Sequence, residues 1–288
     1  PVSRFAPSPT GFLHLGHLAH MLYLWGLSRS LNGKVYLRIE DHDNERTKKI
    51  YVDQILEDID FFGFEVDDFE SKNLYLQSEN KEVYKKFLEE LKRQKQVYAC
   101  TCSRKKIKDF SINKAKKNKE YIYPGFCRQK KLSFEKGKSL RLKVSSAMQS
   151  FWDAYKGGVS ENPSQSCGDF ILVDKFSNYS YQFSSVVDDI RQGINLVIRG
   201  EDLLSSTSRQ VYLQKALGFS RPILYLHHPL LYTKESKEVK LSKRLNSQSL
   251  KDLREKYTRE ELLGLAAQKI GLIKAKKKLN ICDIKNLF

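Results

Sequence analysis

The run PSPTGFLHLGH, residues 7–17, constrains this chain more than any other stretch. Ahead of it SRFA (3–6) reads as a short strand. Pro7 and Pro9 then keep the backbone extended, because proline fixes φ and disfavours helix at the preceding residue. Gly11 and Gly16 permit close backbone approach. From Gly16 onward Leu18, Met21, Leu22 and Trp25 recur at helical spacing. His14 and His17 therefore stand where a strand turns into a helix. Free N–H groups and the positive end of the helix dipole favour an anion at such a turn. Two added imidazoles suit a phosphate that gains charge during a reaction. On spacing alone, a plain turn with incidental histidines is the alternative.

Length and charge narrow the choice. The 288 residues suggest two domains or one large one, with ample chain for a core that needs no disulfide staples. A formal charge of +17 calls for a polyanionic partner, nucleic acid ahead of an anionic membrane surface. No apolar run approaches the roughly 20 residues that span a bilayer, and no signal-peptide pattern opens the chain. The expectation is a cytoplasmic protein without a membrane partner. Pro1, where a methionine would start a chain, implies trimming. Of five cysteines, three cluster, which in a cytosolic protein points to a metal site rather than disulfides.

Along the chain, KVYLRIE (34–40) reads as a strand, with Gly33 as the C-cap of the helix before it. Helices follow around 50–62 and 80–95, giving the alternation of a parallel α/β sheet. From Cys100 the character changes: seven lysines lie between Arg104 and Lys119, followed by aromatic residues and Cys127. SLRLKV (139–144) and the Gly-Gly turn after SFWDAYK (150–156) read as antiparallel strands of an insertion. DFILVDK (169–175) is expected to resume the parallel pattern. A helix near 181–187, the strand INLVIR (194–199), a helix over 205–219 and two short helices complete the chain. The expected divisions are a first Rossmann half (1–98), an inserted subdomain (99–168), a second Rossmann half (169–240) and a loop end with a helical stub (241–288).

KLSKR (240–244) supplies a second signal. Two lysines in a loop can neutralise a triphosphate as point-charge donors, although a basic loop alone is most often plain solvated surface. Together, HLGH and KLSKR resemble the HIGH and KMSKS signatures of the class I aminoacyl-tRNA synthetases. RFAPSPTGFLHLGH, LRIEDHD, VVDD (186–189), VIRGEDLL and KLSKR resemble the glutamyl branch, and these blocks span residues 4–244. The fold implied is a Rossmann-type parallel sheet split by a small zinc-bearing insertion, with a short C-terminal helical segment.

The resemblance implies an ATP-dependent ligase that makes glutamyl-adenylate with Mg2+. His14, His17, Lys240 and Lys243 would stabilise the transition state electrostatically. Pro7, Gly16 and Leu203 would join His14, His17 and Lys243 around ATP. Arg4, Ala6, Ser8, Glu40, Tyr181 and Arg199 would hold L-glutamate. Two guanidiniums suit two carboxylates, and one carboxylate suits one ammonium. Plain core remains open for Tyr181, and so does an ion pair with Glu201 or Asp202 for Arg199.

Only 44 residues follow Arg244, too few for the helical anticodon-binding region of a full glutamyl enzyme. The shorter paralogues, the glutamyl-queuosine tRNA(Asp) synthetases, are the better resemblance, and they imply tRNA(Asp) bearing queuosine as acceptor. Cys100, Cys102, Tyr123 and Cys127 resemble those paralogues' zinc pattern, a closed set suited to structural zinc. Tyr121 is a rival ligand, and three unrelated buried thiols are the alternative. Cys167 and Cys282 stand alone and are expected in the core. Two other functional readings remain: the catalytic part of an ordinary glutamyl-tRNA synthetase, and a non-catalytic RNA-binding relative.

Overall fold

Strand β1 (Val2–Phe5) feeds a loop and then helix α1 (Leu15–Ser30), whose Leu15, Leu18, Met21, Leu22, Leu24 and Trp25 are all buried. The computed structural model describes residues 1–42, 46–72, 74–111, 121–230, 248–275 and 277–288. Next come β2 (Lys34–Ile39), α2 (Lys49–Phe62), β3 (Tyr75–Leu76), α3 (Lys81–Arg93), β4 (Val97–Cys100) and α4 (Arg104–Ser111). The middle holds β5 (Ser139–Leu142), β6 (Gln149–Asp153), β7 (Gly157–Glu161), α5 (Pro163–Ser166), β8 (Ile171–Val173) and α6 (Tyr181–Arg191). Then follow β9 (Leu196–Gly200), α7 (Leu204–Ala216), β10 (Leu224–His228), α8 (Leu250–Arg254) and α9 (Arg259–Lys269). A 3₁₀ segment, Ile281–Leu287, ends the chain.

The first of two compact units comprises residues 1–78, 194–204 and 224–288. Its strands pair in parallel, β1 with β2, β2 with β3 and β9 with β10. Asn195 joins the two ladders: Val2 N–H donates to its Oδ1 (2.7 Å) and its own N–H donates to the Val2 carbonyl (3.1 Å). The parallel ladders β1-β2-β3 and β9-β10 are the α/β arrangement expected. Gly33 is not the helix cap. Leu31 caps α1, and Asn32 takes the left-handed turn at φ 51°. Gly33 instead allows close approach, since a Cβ there would sit 2.8 Å from the Pro1 carbonyl oxygen. Arg254 bonds the fully buried Asp58 (2.8 Å), pinning α8 to α2. The 3₁₀ segment lies on α1, where Gly26 leaves room for Ile284 and Phe288.

The second unit comprises residues 79–193 and 205–223. It contains an antiparallel sheet, β4-β5-β8, and the hairpin β6–β7. The expected divisions at 98/99 and 168/169 both fall inside it. β8 corrects the expectation that 169–175 resumes the parallel sheet: it pairs antiparallel with β5. A three-residue apolar strand carries no mark of its partner's direction, and here β5 supplies the partner. Tyr84, Leu88, Leu142, Phe170, Phe183, Val187 and Leu213 form the core of this unit, and Tyr84 donates its hydroxyl proton to Asp188.

Gly264 in α9 tests the packing of the first unit. Alanine gains about 1 kcal/mol in helix propensity over glycine. Here, however, its Cβ would overlap the backbone carbonyl oxygen of Lys277, and overpacking against backbone costs about 1–3 kcal/mol. Thermal unfolding of Gly264→Ala should therefore show a lower midpoint than wild type, the reverse of the propensity effect.

Candidate functional site

Helix α1 begins with an imidazole where a hydroxyl or carboxylate usually caps. His14 has extended backbone, and its Nδ1 accepts from Gly16 N–H (3.0 Å). The Nδ1 of His17 accepts in return from His14 N–H (3.1 Å). This reciprocal arrangement is a capping box built from two histidines. Because both Nδ1 atoms are acceptors, both rings carry their proton on Nε2. Burial pulls the His14 pKa below 6.5, and burial with the neighbouring His14 pulls His17 down to about 3. The rings lie 4.0 Å apart as two neutral N–H donors. Gly16 is required: a Cβ there would lie 2.8 Å from His14 Cε1.

The other candidate residues of the first unit lie on strand ends and their loops. Arg4 is buried on β1 and Arg199 on β9, while Glu40, buried just past β2, donates its N–H to the Pro7 carbonyl (3.0 Å). Ala6 is half-buried and Ser8 is exposed. Leu203 closes the 3₁₀ turn Glu201–Leu203 after β9. Tyr181 lies in the second unit as the first residue of α6, behind the Ser180 cap. KLSKR, with Lys240 and Lys243, lies outside the described residues. Its downstream neighbour does not: Ser249 forms a backbone bridge to His14, and Leu250 N–H donates to the Leu13 carbonyl (2.7 Å).

Further polar neighbours surround these residues. Buried Arg38 approaches Glu40 at 3.5 Å. Arg199 Nε donates to Nε2 of fully buried His227 (3.0 Å), which holds the guanidinium in place. His20 and His228 share a hydrogen bond of 3.1 Å, and Tyr23 stacks on His228 at 4.7 Å. Burial, with the nearby His228, keeps His20 well below its ordinary pKa. Only the three-residue spacing of His14, His17 and His20 hints at His20 in the sequence.

In the second unit the thiols of Cys100, Cys102 and Cys127 lie within 4.8 Å of one another. The Tyr123 hydroxyl joins them, 3.3 Å from Cys100 Sγ and 3.7 Å from Cys102 Sγ, while Cys102 and Cys127 are 3.6 Å apart. Zinc bound at ordinary lengths to sulfur and oxygen spaces its ligands about 3.5–3.8 Å apart, so the donor set fits that ion. Tyr121 is exposed, whereas Tyr123 is buried. Cys127 is pushed down to about 7: burial raises it, and hydrogen bonds from the Thr101 backbone and Tyr123 outweigh that. Cys167 is buried as expected. Cys282 is exposed, contrary to the expectation, because it sits on the outer side of the terminal 3₁₀ segment.

A family model described as tRNA synthetases class I (E and Q), catalytic domain, matches residues 2–286. The glutamyl-Q tRNA(Asp) synthetase of Pseudomonas entomophila (strain L48) is 38% identical over 230 residues, covering 80% of this chain and 73% of that protein. The glutamate–tRNA ligase of Hydrogenobaculum sp. (strain Y04AAS1) is 34% identical over 302 residues, covering 99% of this chain and 63% of that one. The fold matches the crystal structure of glutamate-tRNA synthetase from Elizabethkingia anophelis with a TM-score of 0.80 at 24% identity. All of this chain is covered by that match, and it spans 65% of the longer chain.

The imidazole cap makes stability depend on pH. A folded-state pKa of about 3 against 6.5 unfolded means that the unfolded chain binds a proton the folded chain refuses. Stability should therefore rise with pH between those values and level off above 6.5. His17→Asn keeps an acceptor for His14 N–H and removes the titration. Urea unfolding across a pH series should show a shallower acid loss for this variant, with the neutral-pH midpoint little changed.

Proposed function

Because the chain belongs to the catalytic-domain family of the class I tRNA synthetases (E and Q), we propose that it activates L-glutamate with ATP and Mg2+, then passes glutamate to the queuosine base in the anticodon of tRNA(Asp). The histidine capping box carries the activation half. In that step a glutamate carboxylate oxygen attacks the α-phosphorus, and the bond to the β-phosphate breaks. Negative charge builds on the phosphate oxygens, and fixed Nε2–H donors of His14 and His17 gain strength as it does. Arg4 and Arg199 take the carboxylates and Glu40 the ammonium group. Tyr181 and Ala6 line the substrate. Lys240 and Lys243 neutralise the departing pyrophosphate, a role supported by the return of the chain to His14 at Ser249. In the second step a queuosine hydroxyl attacks the adenylate carbonyl carbon and AMP leaves.

The acceptor is drawn from the 37–38% identity to glutamyl-Q tRNA(Asp) synthetases. One observation favours a second reading, the catalytic part of a glutamate–tRNA ligase: the Hydrogenobaculum ligase aligns with nearly the whole chain. Glutamate-dependent ATP–pyrophosphate exchange tests activation, and absence of exchange would sink it. Labelled glutamate should then reach tRNA(Asp) from queuosine-making cells and not tRNA(Asp) from cells unable to make queuosine. Charging of tRNA(Glu) at its 3′ end would instead establish the second reading.

Cys100, Cys102, Tyr123 and Cys127 would hold one structural zinc, whose bound form supplies a cross-link between two loops. Metal analysis should find one zinc per chain, and Cys127→Ser should lose it with a lower unfolding midpoint. Zinc-free protein of undiminished stability would count against the site. A cytoplasmic location fits the proposed substrates; no helix among the described residues is long and apolar enough to cross a membrane.

A further inference from the structure

The charge of this chain is concentrated in one unit. Residues 79–193 and 205–223 hold 27 Lys and Arg against 13 Asp and Glu, a net +14 of the total +17. The same unit exposes an aromatic side chain on a built surface. In the hairpin β6–β7, Trp152 pairs with Gly158 and Ser150 with Ser160. Residues two apart on a strand share a face, so one face of the hairpin carries the indole, a glycine and two serines. The indole lies across the opposite strand over Gly158, in van der Waals range (3.7 Å) of where a Cβ would be. Its outer face is open to solvent, leaving Trp152 62% exposed. The two serine hydroxyls meet at 2.9 Å beside it. At the end of the hairpin Tyr155 is also exposed, with the Lys156 ammonium 5.1 Å from its ring centroid.

We propose that this hairpin face is a stacking platform for an unpaired nucleotide of RNA, with Trp152 as the anchor. The proposal rests on the reading of an RNA acceptor above and adds a contact surface to it. A flat indole offers one π-face, which suits a base and is too small for an apolar protein interface. The net positive charge of the unit, with Lys156 on the same hairpin, favours the phosphate chain on either side of that base. Neighbouring serine hydroxyls can donate to or accept from a ribose or a base edge.

The two tryptophans of the chain make the test direct. Trp25 is buried and donates Nε1–H to the Glu65 carbonyl, so Trp152 is the indole that a ligand can reach. Titration with a short single-stranded oligoadenylate should quench Trp152 emission, and a duplex RNA of equal charge should not. Trp152→Ala should weaken oligoadenylate binding about tenfold, and Trp152→Phe should restore much of the affinity while abolishing the quench. Unchanged affinity in Trp152→Ala overturns the platform, as does equal quenching by duplex RNA, which would reduce the surface to a general polyanion patch. The titration uses neither glutamate nor ATP, so it stands or falls independently of the exchange assay.

Discussion

Two imidazoles hold the first turn of α1, and the candidate chemistry of the first unit depends on how they do it. Each accepts a backbone N–H through Nδ1, which satisfies orphan donors at the helix start and leaves a neutral Nε2–H on each ring. An ordinary serine or aspartate cap would satisfy the backbone equally well but leave no second donor pointing away from it. The arrangement demands Gly16, because a side chain there would meet the His14 ring. It also demands a rigid support. The body of α1 is buried along most of its length, between the parallel sheet and the terminal 3₁₀ segment, so the cap sits on an element with little freedom to shift.

The same economy governs the buried charges around the cap. Arg4, Arg38 and Arg199 are buried in the first unit together with Glu40. Isolated, such guanidiniums would be costly to desolvate. Arg38 approaches Glu40, and Arg199 is met by His227, whose lone pair on Nε2 is available only while that nitrogen is unprotonated. Unprotonated imidazole nitrogens thus serve as neutral acceptors both at the helix cap and beside Arg199. The second unit follows the opposite rule: it carries an excess of 14 positive charges, and most of its described lysines and arginines are exposed. One unit concentrates buried charge around the helix cap, and the other carries most of the net positive charge.

How much of this could be read from the sequence follows from the range of each interaction. The strand–turn–helix of HLGH is local, and proline, glycine and helical spacing announced it. Even the anion preference of the turn follows from residues within one helical turn. The direction of β8 was not legible, because a strand's apolar pattern is the same whichever way its neighbour runs, and β5 lies some thirty residues earlier. His227 and His228 escaped notice since their partners, Arg199 and His20, are brought together only by sheet order. At Gly33 the composition was read correctly and the reason was wrong: the glycine serves an approach to Pro1, while Asn32 bears the left-handed turn. Tyr121 and Tyr123 are equivalent by spacing; their burial separates them.

What buries Tyr123 also separates the cysteine cluster from the sheet beneath it. The Arg141 guanidinium lies 3.8 Å over the Tyr123 ring and donates to the Asp169 carbonyl (2.7 Å). The Asp169 carboxylate accepts from Tyr98 (2.6 Å), from Arg128 Nε (2.9 Å) and from Val144 N–H (2.7 Å). None of these bonds passes through a thiol. They fasten β4, β5 and the start of β8 to the residue after Cys127, and they position the tyrosine from below. The thiols add closure from above: Cys100 Sγ and Cys102 Sγ meet the Tyr123 hydroxyl, and Cys102 Sγ meets Cys127 Sγ, which draws the turn at Cys100–Cys102 onto the Tyr123–Cys127 loop. A metal held at this place would therefore act on loops that a charged and hydrogen-bonded base already aligns. That base explains how a donor set of three sulfurs and one oxygen can be gathered across residues 103–122, a stretch that includes seven lysines.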